Sequence, residues 1–295
     1  MNQSPLRYPG GKSKISPLVG LIIRKLNFES AIYIEPFAGG AGVAISLLLG
    51  GVVNKIVIND YDKAIYSFWR ALKEESNALI HLIENTPVTV EEWHRQKEVF
   101  INNNHKYSLE LGFSAFFLNR TNRSGILSAG PIGGYDQKGN YLIDARYNKA
   151  VLIEKIRVIA KQKKNIFVYN KEVRNFITQV IPQYQDNALV YFDPPYYHKG
   201  KELYKNFFNA EDHRDIAECI THNVVCNWII TYDDCQQIKD IYPQYIIKQF
   251  NLNYSVANKR KGMELMIFKN ADVCPTVEEI AQAGISFELA ADEGF

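Results

Sequence analysis

Residues 189–196, with the sequence LVYFDPPY, join a short apolar run to an acid, two prolines and an aromatic ring. The apolar run predicts a buried β-strand, which ends at Pro194 and Pro195 because proline cannot continue a β-ladder. In an open α/β sheet, ligands bind at the carboxyl ends of the strands. Asp193 and the Pro194 carbonyl accept hydrogen bonds there, and Tyr196 offers a face for stacking. The stretch therefore suits a planar group that carries an NH2; the alternative is a strand-ending turn with Asp193 as a helix cap.

The segment before this stretch predicts the first units of a nucleotide-binding α/β fold. Residues 31–35 predict a strand, residues 36–42 form a glycine-rich turn, and residues 43–49 predict a helix. Residues 55–60 predict a second strand, which ends in Asp60 about 20 residues after the glycine turn, where an acid can bind a ribose diol. A helix cap is the alternative role for this acid.

Strands and helices alternate again after residue 148. The remaining strands are predicted at residues 166–169, 188–192, 228–231, 245–250 and 265–268. Helices are predicted between them at residues 151–164, 172–180, 211–221 and 234–241. The alternation indicates one α/β domain with an interruption in its first half.

The stretch that contains Gly10, Gly11 and Lys12 precedes the first predicted strand. Two glycines let the backbone approach a ligand closely, and Lys12 supplies a positive charge for a carboxylate or phosphate. A Walker nucleotide site is not indicated, because the earlier glycine of that motif and a preceding strand are both absent. A solvated turn is the alternative.

The interruption, residues 71–147, predicts helices at residues 78–84, 90–103 and 109–118, followed by the polar loop 119–125. Its arginine and asparagine side chains are of the types that contact base edges and phosphates. A basic loop follows residues 189–196 and contains Lys199, a candidate phosphate contact. Ordinary polar loops are the alternative in both places.

Composition supports a polyanionic partner. The 295 residues carry a net charge of +2, but six acids and no base lie after residue 270, which leaves +8 on the rest of the chain. The four cysteines have no CxxC spacing, so neither a metal site nor a disulfide framework is expected. Without a signal-peptide pattern or a long apolar run, we expect a cytoplasmic protein without membrane contact.

Taken together, the motifs resemble those of the Dam-like DNA adenine methyltransferases, the Asp-Pro-Pro-Tyr branch of the S-adenosylmethionine-dependent amino methylases. The likeness extends up to residue 270, and several separated motifs occur in the family's order. They are residues 8–12 (YPGGK), 35–39 (EPFAG), Asp60, 119–125 (NRTNRSG), 193–196 (DPPY) and 260–266 (RKGMELM).

The resemblance implies an α/β fold with a seven-stranded, mostly parallel Rossmann-like methyltransferase sheet, helices on both faces and an antiparallel last strand. It assigns residues 1–70 and 148–270 to a catalytic domain and residues 71–147 to an inserted, mainly helical DNA-recognition domain. Residues 271–295 form an acidic C-terminal tail outside the family pattern, for which we expect a short helix started by a capping box at Thr276.

The resemblance also implies a site for S-adenosylmethionine, without a metal, and a flipped adenine in duplex DNA as the methyl acceptor. The implied cofactor-binding residues are Tyr8, Lys12, Glu35, Phe37, Ala38, Gly39, Asp60, Glu172 and Asp193. The implied catalytic residues are Asp193, Pro194, Pro195 and Tyr196, with Tyr196 stacked on the adenine. The implied nucleic-acid-binding residues are Asn119, Arg120, Asn122, Arg123 and Lys199. Glu172 departs from the family, which usually carries aspartate there.

We expect a bacterial or phage-encoded protein that is a monomer or a weak dimer. Its expected partner is double-stranded DNA, and the resemblance also suggests a cognate restriction endonuclease as a protein partner. Four alternatives remain open from the residues alone. The acceptor could be RNA, a protein amide or the amino group of cytosine, since the same strand-end chemistry serves each. A non-catalytic DNA-binding relative is the alternative outside the enzymes.

Overall fold

The computed structural model describes residues 3–7, 12–103, 107–198, 208–252 and 262–285. Its strands are β1 (Ile32–Glu35), β2 (Lys55–Asn59), β3 (Ile166–Tyr169), β4 (Ala188–Phe192), β5 (Asn227–Asp233), β6 (Ile246–Leu252) and β7 (Gly262–Phe268). They form one seven-stranded sheet in the order β3-β2-β1-β4-β5-β7-β6. Strand β7 is antiparallel to both of its neighbours, and the other pairs are parallel. The predicted sheet and its reversed last strand are confirmed.

The helices are α1 (Ser16–Lys25), α2 (Gly42–Leu49), α3 (Lys63–Glu74), α4 (Ser76–Asn85), α5 (Val90–Asn102), α6 (Leu109–Thr121), α7 (Lys149–Ala160), α8 (Val173–Gln179), α9 (Ala210–Asn223), α10 (Gln236–Ile241) and α11 (Val277–Gln282). Side-chain caps fix where several of them begin. Asp62 accepts from the N–H of Ala64 at the start of α3, and Ser108 accepts from Leu111 at the start of α6. These bonds satisfy amides that a helix N-terminus leaves without a partner.

The sheet lies between two helical layers because its strands alternate their side chains. On β4, Leu189 and Tyr191 face a core shared with α1 to α7 and α11, whereas Val190 and Phe192 face a core shared with α8, α9 and α10. All four side chains are buried. A strand covered on both faces is apolar throughout, which explains its continuous hydrophobic sequence.

Helices α4, α5 and α6 occupy the predicted insertion and belong to the first helical layer. Helix α6 packs on α3, where the rings of Phe68 and Phe116 stack with centroids 5.6 Å apart. A Cβ atom on Gly112 would lie 2.6 Å from the Ser67 carbonyl oxygen, so the close approach of the two helices requires glycine. The insertion therefore shares its hydrophobic core with the sheet, while its role in DNA recognition stays a prediction.

Helix α11 confirms the helix expected after residue 270. Thr276 and Glu279 form its capping box, and Ile280 is buried in the first-layer core. Glu279 also pairs with Lys25 of α1 at 2.9 Å. No helix in the described part of the chain is both long and apolar enough to cross a membrane.

Candidate active site

The strand order reverses between β1 and β4, which places a crevice at their carboxyl ends. Glu35 ends β1, Asp193 follows β4, and Asp60 follows β2 on the other side of β1. Burial raises the pKa of all three carboxyl groups above the usual range, that of Asp60 to about 7. The topology thus gathers three acids from distant sequence positions at one edge of the sheet.

Asp193 is oriented by residues of its own and the neighbouring strand. The Thr231 hydroxyl donates to Asp193 Oδ1 at 2.7 Å. The Tyr191 hydroxyl lies 2.7 Å from the same threonine oxygen and therefore donates to it, because threonine has one proton to give. Burial and the charge of Asp193 hold the pKa of Tyr191 well above 10, which keeps the phenol protonated as a donor.

Lys12 connects Tyr196, which follows β4, with Glu264 of β7. Its ammonium group forms an ion pair with Glu264, donates to the Tyr196 hydroxyl at 2.6 Å and lies 3.7 Å from Asp193 Oδ1. The Tyr196 hydroxyl in turn donates to Glu264 Oε1 at 2.8 Å. Tyr196 is 6 % exposed, so its neighbours must move before the ring can stack on a base.

The glycine turn is fastened to the end of β2. The Gly39 N–H donates to Asp60 Oδ2 at 2.8 Å, and the Ala38 N–H donates to the Asn59 carbonyl at 2.9 Å. Gly39 has a φ of 46°, a conformation that favours glycine. The second oxygen of Asp60 accepts from the Asp62 N–H at 2.8 Å, so the carboxylate fixes the backbone that follows β1 and the backbone that follows β2.

The backbone after β4 is held by a carboxylate at the end of β5. Asp233 accepts from the N–H groups of Tyr197 and His198 at 2.8 and 3.0 Å. Asp233 and Glu264 are register partners on β5 and β7. These two carboxylates and Thr231 were not predicted as site residues.

A family model for D12 class N6 adenine-specific DNA methyltransferases matches residues 8–256. The chain belongs to this family. The predicted family and enzyme class, adenine-specific DNA methyltransferase, are confirmed. The chain is also 24% identical over 208 residues to the type II methyltransferase M.MjaIII of Methanocaldococcus jannaschii, across 65% of this chain and 68% of that protein.

Two solved structures resemble the methyltransferase more remotely. The rRNA methyltransferase aviRa from Streptomyces viridochromogenes matches with a TM-score of 0.40 and 12% identity, over 90% of this chain and 88% of that one. The protein LPL1258 from Legionella pneumophila matches with a TM-score of 0.36 and 13% identity, over 95% and 96% of the two chains.

The crevice fits S-adenosylmethionine, the methyl donor that membership of this family implies. Glu35 Oε2 is buried and has no hydrogen-bond partner, although the Ala44 N–H at the start of α2 donates to the same carboxyl group. An orphaned buried acceptor suits the ammonium group of the cofactor. The Phe37 ring is half-buried and packs on Phe208 with centroids 6.1 Å apart, which gives the crevice an apolar wall.

Two of the predicted DNA contacts, Asn119 and Asn122, are buried in the protein, and their contact with DNA stays a prediction. Asn119 and Asn122 are 1% and 0% exposed, and the bonds they make are internal. Asn119 accepts from the Arg7 N–H at 2.7 Å and donates to the carbonyls of Arg7 and Gly125. Asn122 accepts from the indole N–H of Trp93 at 2.6 Å and donates to the backbone of the loop that follows. Both amides stabilise the conformation of this loop through these bonds.

The other predicted residues have mixed surroundings. Arg123 is exposed, whereas Arg120 is half-buried and donates to the Arg146 carbonyl at 2.7 Å. Glu172 accepts from the N–H groups of Arg174 and Asn175 and caps helix α8, so its cofactor contact stays a prediction. Tyr8 and Lys199 lie outside the described residues. Within the described residues, no group of three or more metal-ligating side chains comes together.

Proposed function

We propose that the methyltransferase binds S-adenosylmethionine in the crevice and methylates the 6-amino group of an adenine flipped out of a short duplex sequence. The observation that carries the proposal is the orientation of Asp193 by Thr231 at the switch point, directly beside the glycine turn. The carboxylate thereby stands between the proposed cofactor site and the proposed base site.

The amino nitrogen of adenine is a poor nucleophile because its lone pair is delocalised into the ring. The Asp193 carboxylate and the Pro194 carbonyl each accept a hydrogen bond from one N–H of this amino group. These two hydrogen bonds free the lone pair of the nitrogen to attack the methyl group. These bonds strengthen as the nitrogen becomes positive, so they stabilise the transition state more than the ground state. When bound, the cofactor supplies the electrophilic methyl group and would leave as S-adenosylhomocysteine, while the methylated nitrogen loses one of its protons to the Asp193 carboxylate that accepts it. Pro195 fixes the backbone that follows the accepting carbonyl.

The proposed cofactor contacts divide by chemistry. Glu35 accepts from the ammonium group, and Asp60 accepts from the ribose hydroxyls. Lys12 supplies a positive charge to the crevice. The backbone of Ala38 and Gly39 lines the turn, and Phe37 gives a flat apolar surface. Tyr8 and Glu172 complete the proposed set.

Tyr196 is the proposed stacking residue for the extruded base. Extrusion costs a few kcal/mol of lost stacking and pairing. Stacking on an aromatic side chain contributes roughly 1–3 kcal/mol and offsets part of that cost. The ring must first be uncovered, and we propose that DNA binding does this.

The insertion 71–147 is the proposed DNA-recognition region. Burial and the nearby charge of Arg7 lower the pKa of Arg120 to about 10, with Arg146 adding to the effect. Cations that repel one another are stabilised by a polyanion, so this cluster suits the DNA backbone. Arg123 and Lys199 are further proposed contacts. We also propose that the enzyme acts in the cytoplasm as a monomer or weak dimer, with a cognate restriction endonuclease as a partner.

Expression in a methylation-free bacterial host tests the function. We expect 6-methyladenine at one short genomic sequence with the wild-type enzyme and none with Asp193→Ala, which should also bind the cofactor more weakly. Single-molecule mapping of the genome reports the base, the sequence and the activity together. Methylation of cytosine, RNA or protein, or full activity of the Asp193 variant, would refute the proposal.

A further inference from the structure

Strands β5 and β7 present two buried carboxylates side by side at the catalytic edge. Asp233 and Glu264 are register partners, and their exposed fractions are 8% and 2%. Asp233 holds the backbone of the two residues after Tyr196, through N–H bonds of 2.8 and 3.0 Å. Glu264 holds the side chain of Tyr196 itself, through its hydroxyl. The pair therefore fixes the catalytic stretch at two successive points.

The stability of the fold does not explain why position 264 carries an acid. Desolvating a carboxylate is costly, and replacing a buried ion pair with apolar side chains is often neutral or stabilising. Met266 lies two residues along β7, on the same face as Glu264, and its apolar side chain is fully buried. A carboxylate at this position instead gives geometry, since it accepts from the Tyr196 hydroxyl and pairs with Lys12, which lies 3.7 Å from Asp193.

We infer that Glu264 is a positioning residue for methyl transfer: it fixes the Tyr196 ring through the phenol hydroxyl and fixes the Lys12 ammonium beside Asp193. The inference rests on the proposed stacking role of Tyr196. With the hydroxyl end of the ring anchored by two partners, the ring keeps its plane when a base enters. The flipped base then meets a surface whose orientation toward Asp193 is already set, which lowers the entropy lost in the transition state.

A double-mutant cycle between Glu264→Gln and Tyr196→Phe tests this coupling. Glutamine keeps the size of the side chain but offers one acceptor to two donors, and phenylalanine keeps the stacking ring without its hydroxyl. We expect each single variant to lower kcat by about tenfold or more, and the double variant to lie within about twofold of Glu264→Gln, since both changes break one interaction. The KM for DNA should change less than kcat.

Two further measurements make the cycle specific. Asp233→Asn removes the neighbouring carboxylate, which contacts backbone and not the hydroxyl, so its effect should add to that of Tyr196→Phe. In duplexes with 2-aminopurine at the target position, the fluorescence of this base reports the environment of the flipped base. Glu264→Gln should change the fluorescence, and the double variant with Tyr196→Phe should show the same fluorescence as Glu264→Gln alone. Thermal unfolding shows whether each variant folds.

Wild-type kcat and fluorescence in Glu264→Gln, or simple additivity with Tyr196→Phe, would overturn the inference. If Glu264→Gln does not fold, Glu264→Asp keeps the charge near Lys12, withdraws it by one methylene and carries the same cycle. An inactive wild-type enzyme would instead refute the proposed function, so the two failures differ.

Discussion

Glu35, Asp60 and Asp193 stand at the ends of three strands, and burial raises the pKa of each carboxyl group. An acid with a raised pKa is protonated below that pKa and ionised above it. A cationic ligand favours the ionised form. Because protonated carboxyl groups must release their protons when the cation binds, ligand affinity and pH are linked at this edge of the sheet.

We expect the affinity for S-adenosylmethionine to rise by about three- to tenfold between about pH 6 and pH 8, the range in which Asp60 loses its proton. The pKa of this group is about 7. Asp60→Asn removes the group, so its affinity should be lower and depend less on pH, with Glu35 and Asp193 providing the remaining dependence. Isothermal titration calorimetry across this range measures both curves.

Asp62→Asn is the matched control for that prediction. The charge of Asp62 helps to raise the pKa of Asp60, and asparagine still caps helix α3. The midpoint of the affinity curve should therefore move to lower pH without loss of the plateau. A wild-type affinity that does not vary with pH would contradict the linkage.

Single residues of the site differed in how far sequence could predict them. Asp193 and Asp60 follow apolar runs, and the rule that strand ends bind ligands found them. The same rule applied to β5 would have found Asp233. Thr231 and Glu264 act through contacts across strands, and nothing local in the sequence indicates such a contact. Asn119 was predicted in a polar loop but lies in helix α6 and bonds to the backbone of Arg7, and its residue type does not distinguish such an internal role from a DNA contact.

At the scale of elements, the contact between α3 and α6 fixes the insertion on the catalytic layer. Gly112→Ala would place a methyl group 2.6 Å from the Ser67 carbonyl oxygen, and both helices would have to separate. We expect a loss of about 1–3 kcal/mol in the free energy of unfolding, as for other overpacked cores. Urea denaturation measures the change.

Gly20→Ala is the control for this helix contact. Its Cβ atom would meet Arg24 at 3.4 Å and Leu47 at 3.6 Å, which are ordinary distances. Alanine is the better helix former by up to about 1 kcal/mol, so this variant should be as stable as the wild type or more so. A Gly112 variant with unchanged stability would show that α6 can move away at no cost.

The sequence predicted every strand of the sheet, yet it shortened three of them, and β6 extends to Leu252 where residue 250 was the predicted end. Strand β5 extends to Asp233 and β7 begins at Gly262, whereas the apolar runs predicted 228–231 and 265–268. Apolar periodicity detects the buried centre of a strand. The polar ends of these two strands are held by pairing between Asp233 and Glu264, which is a tertiary contact. The missing ends of β5 and β7 were the parts that belong to the active site.

At the scale of the whole molecule, charge governs the encounter with DNA. The chain before residue 271 carries a net charge of +8, and Arg123 is exposed at the end of α6. We expect Arg123→Ala to weaken DNA binding by about three- to tenfold and to reduce the salt slope by about 1, the value for one lost phosphate contact. Fluorescence anisotropy over a series of salt concentrations measures both, and cofactor affinity should stay unchanged.

Arg214→Ala provides the comparison for that measurement. Arg214 is exposed on α9, in the helical layer on the other face of the sheet. Its substitution by alanine removes the same charge from the molecule as Arg123→Ala does. Its salt slope should match the wild type. Equal slopes for the two variants would show that only net charge matters and that Arg123 makes no contact.

Asn119 ties the insertion to the segment that carries Lys12. Its side-chain amide bonds to both the N–H and the carbonyl of Arg7, which lies five residues before Lys12. Asn119 itself lies in the last turn of helix α6. If bound DNA tilts α6, Asn119 moves with the helix and shifts the backbone of Arg7 through these two bonds. We expect this shift to change the geometry of the acidic crevice. Cognate and non-cognate sequences would then differ in turnover rate as well as in binding affinity. We therefore expect Asn119 to contribute to sequence discrimination through its bonds to the Arg7 backbone.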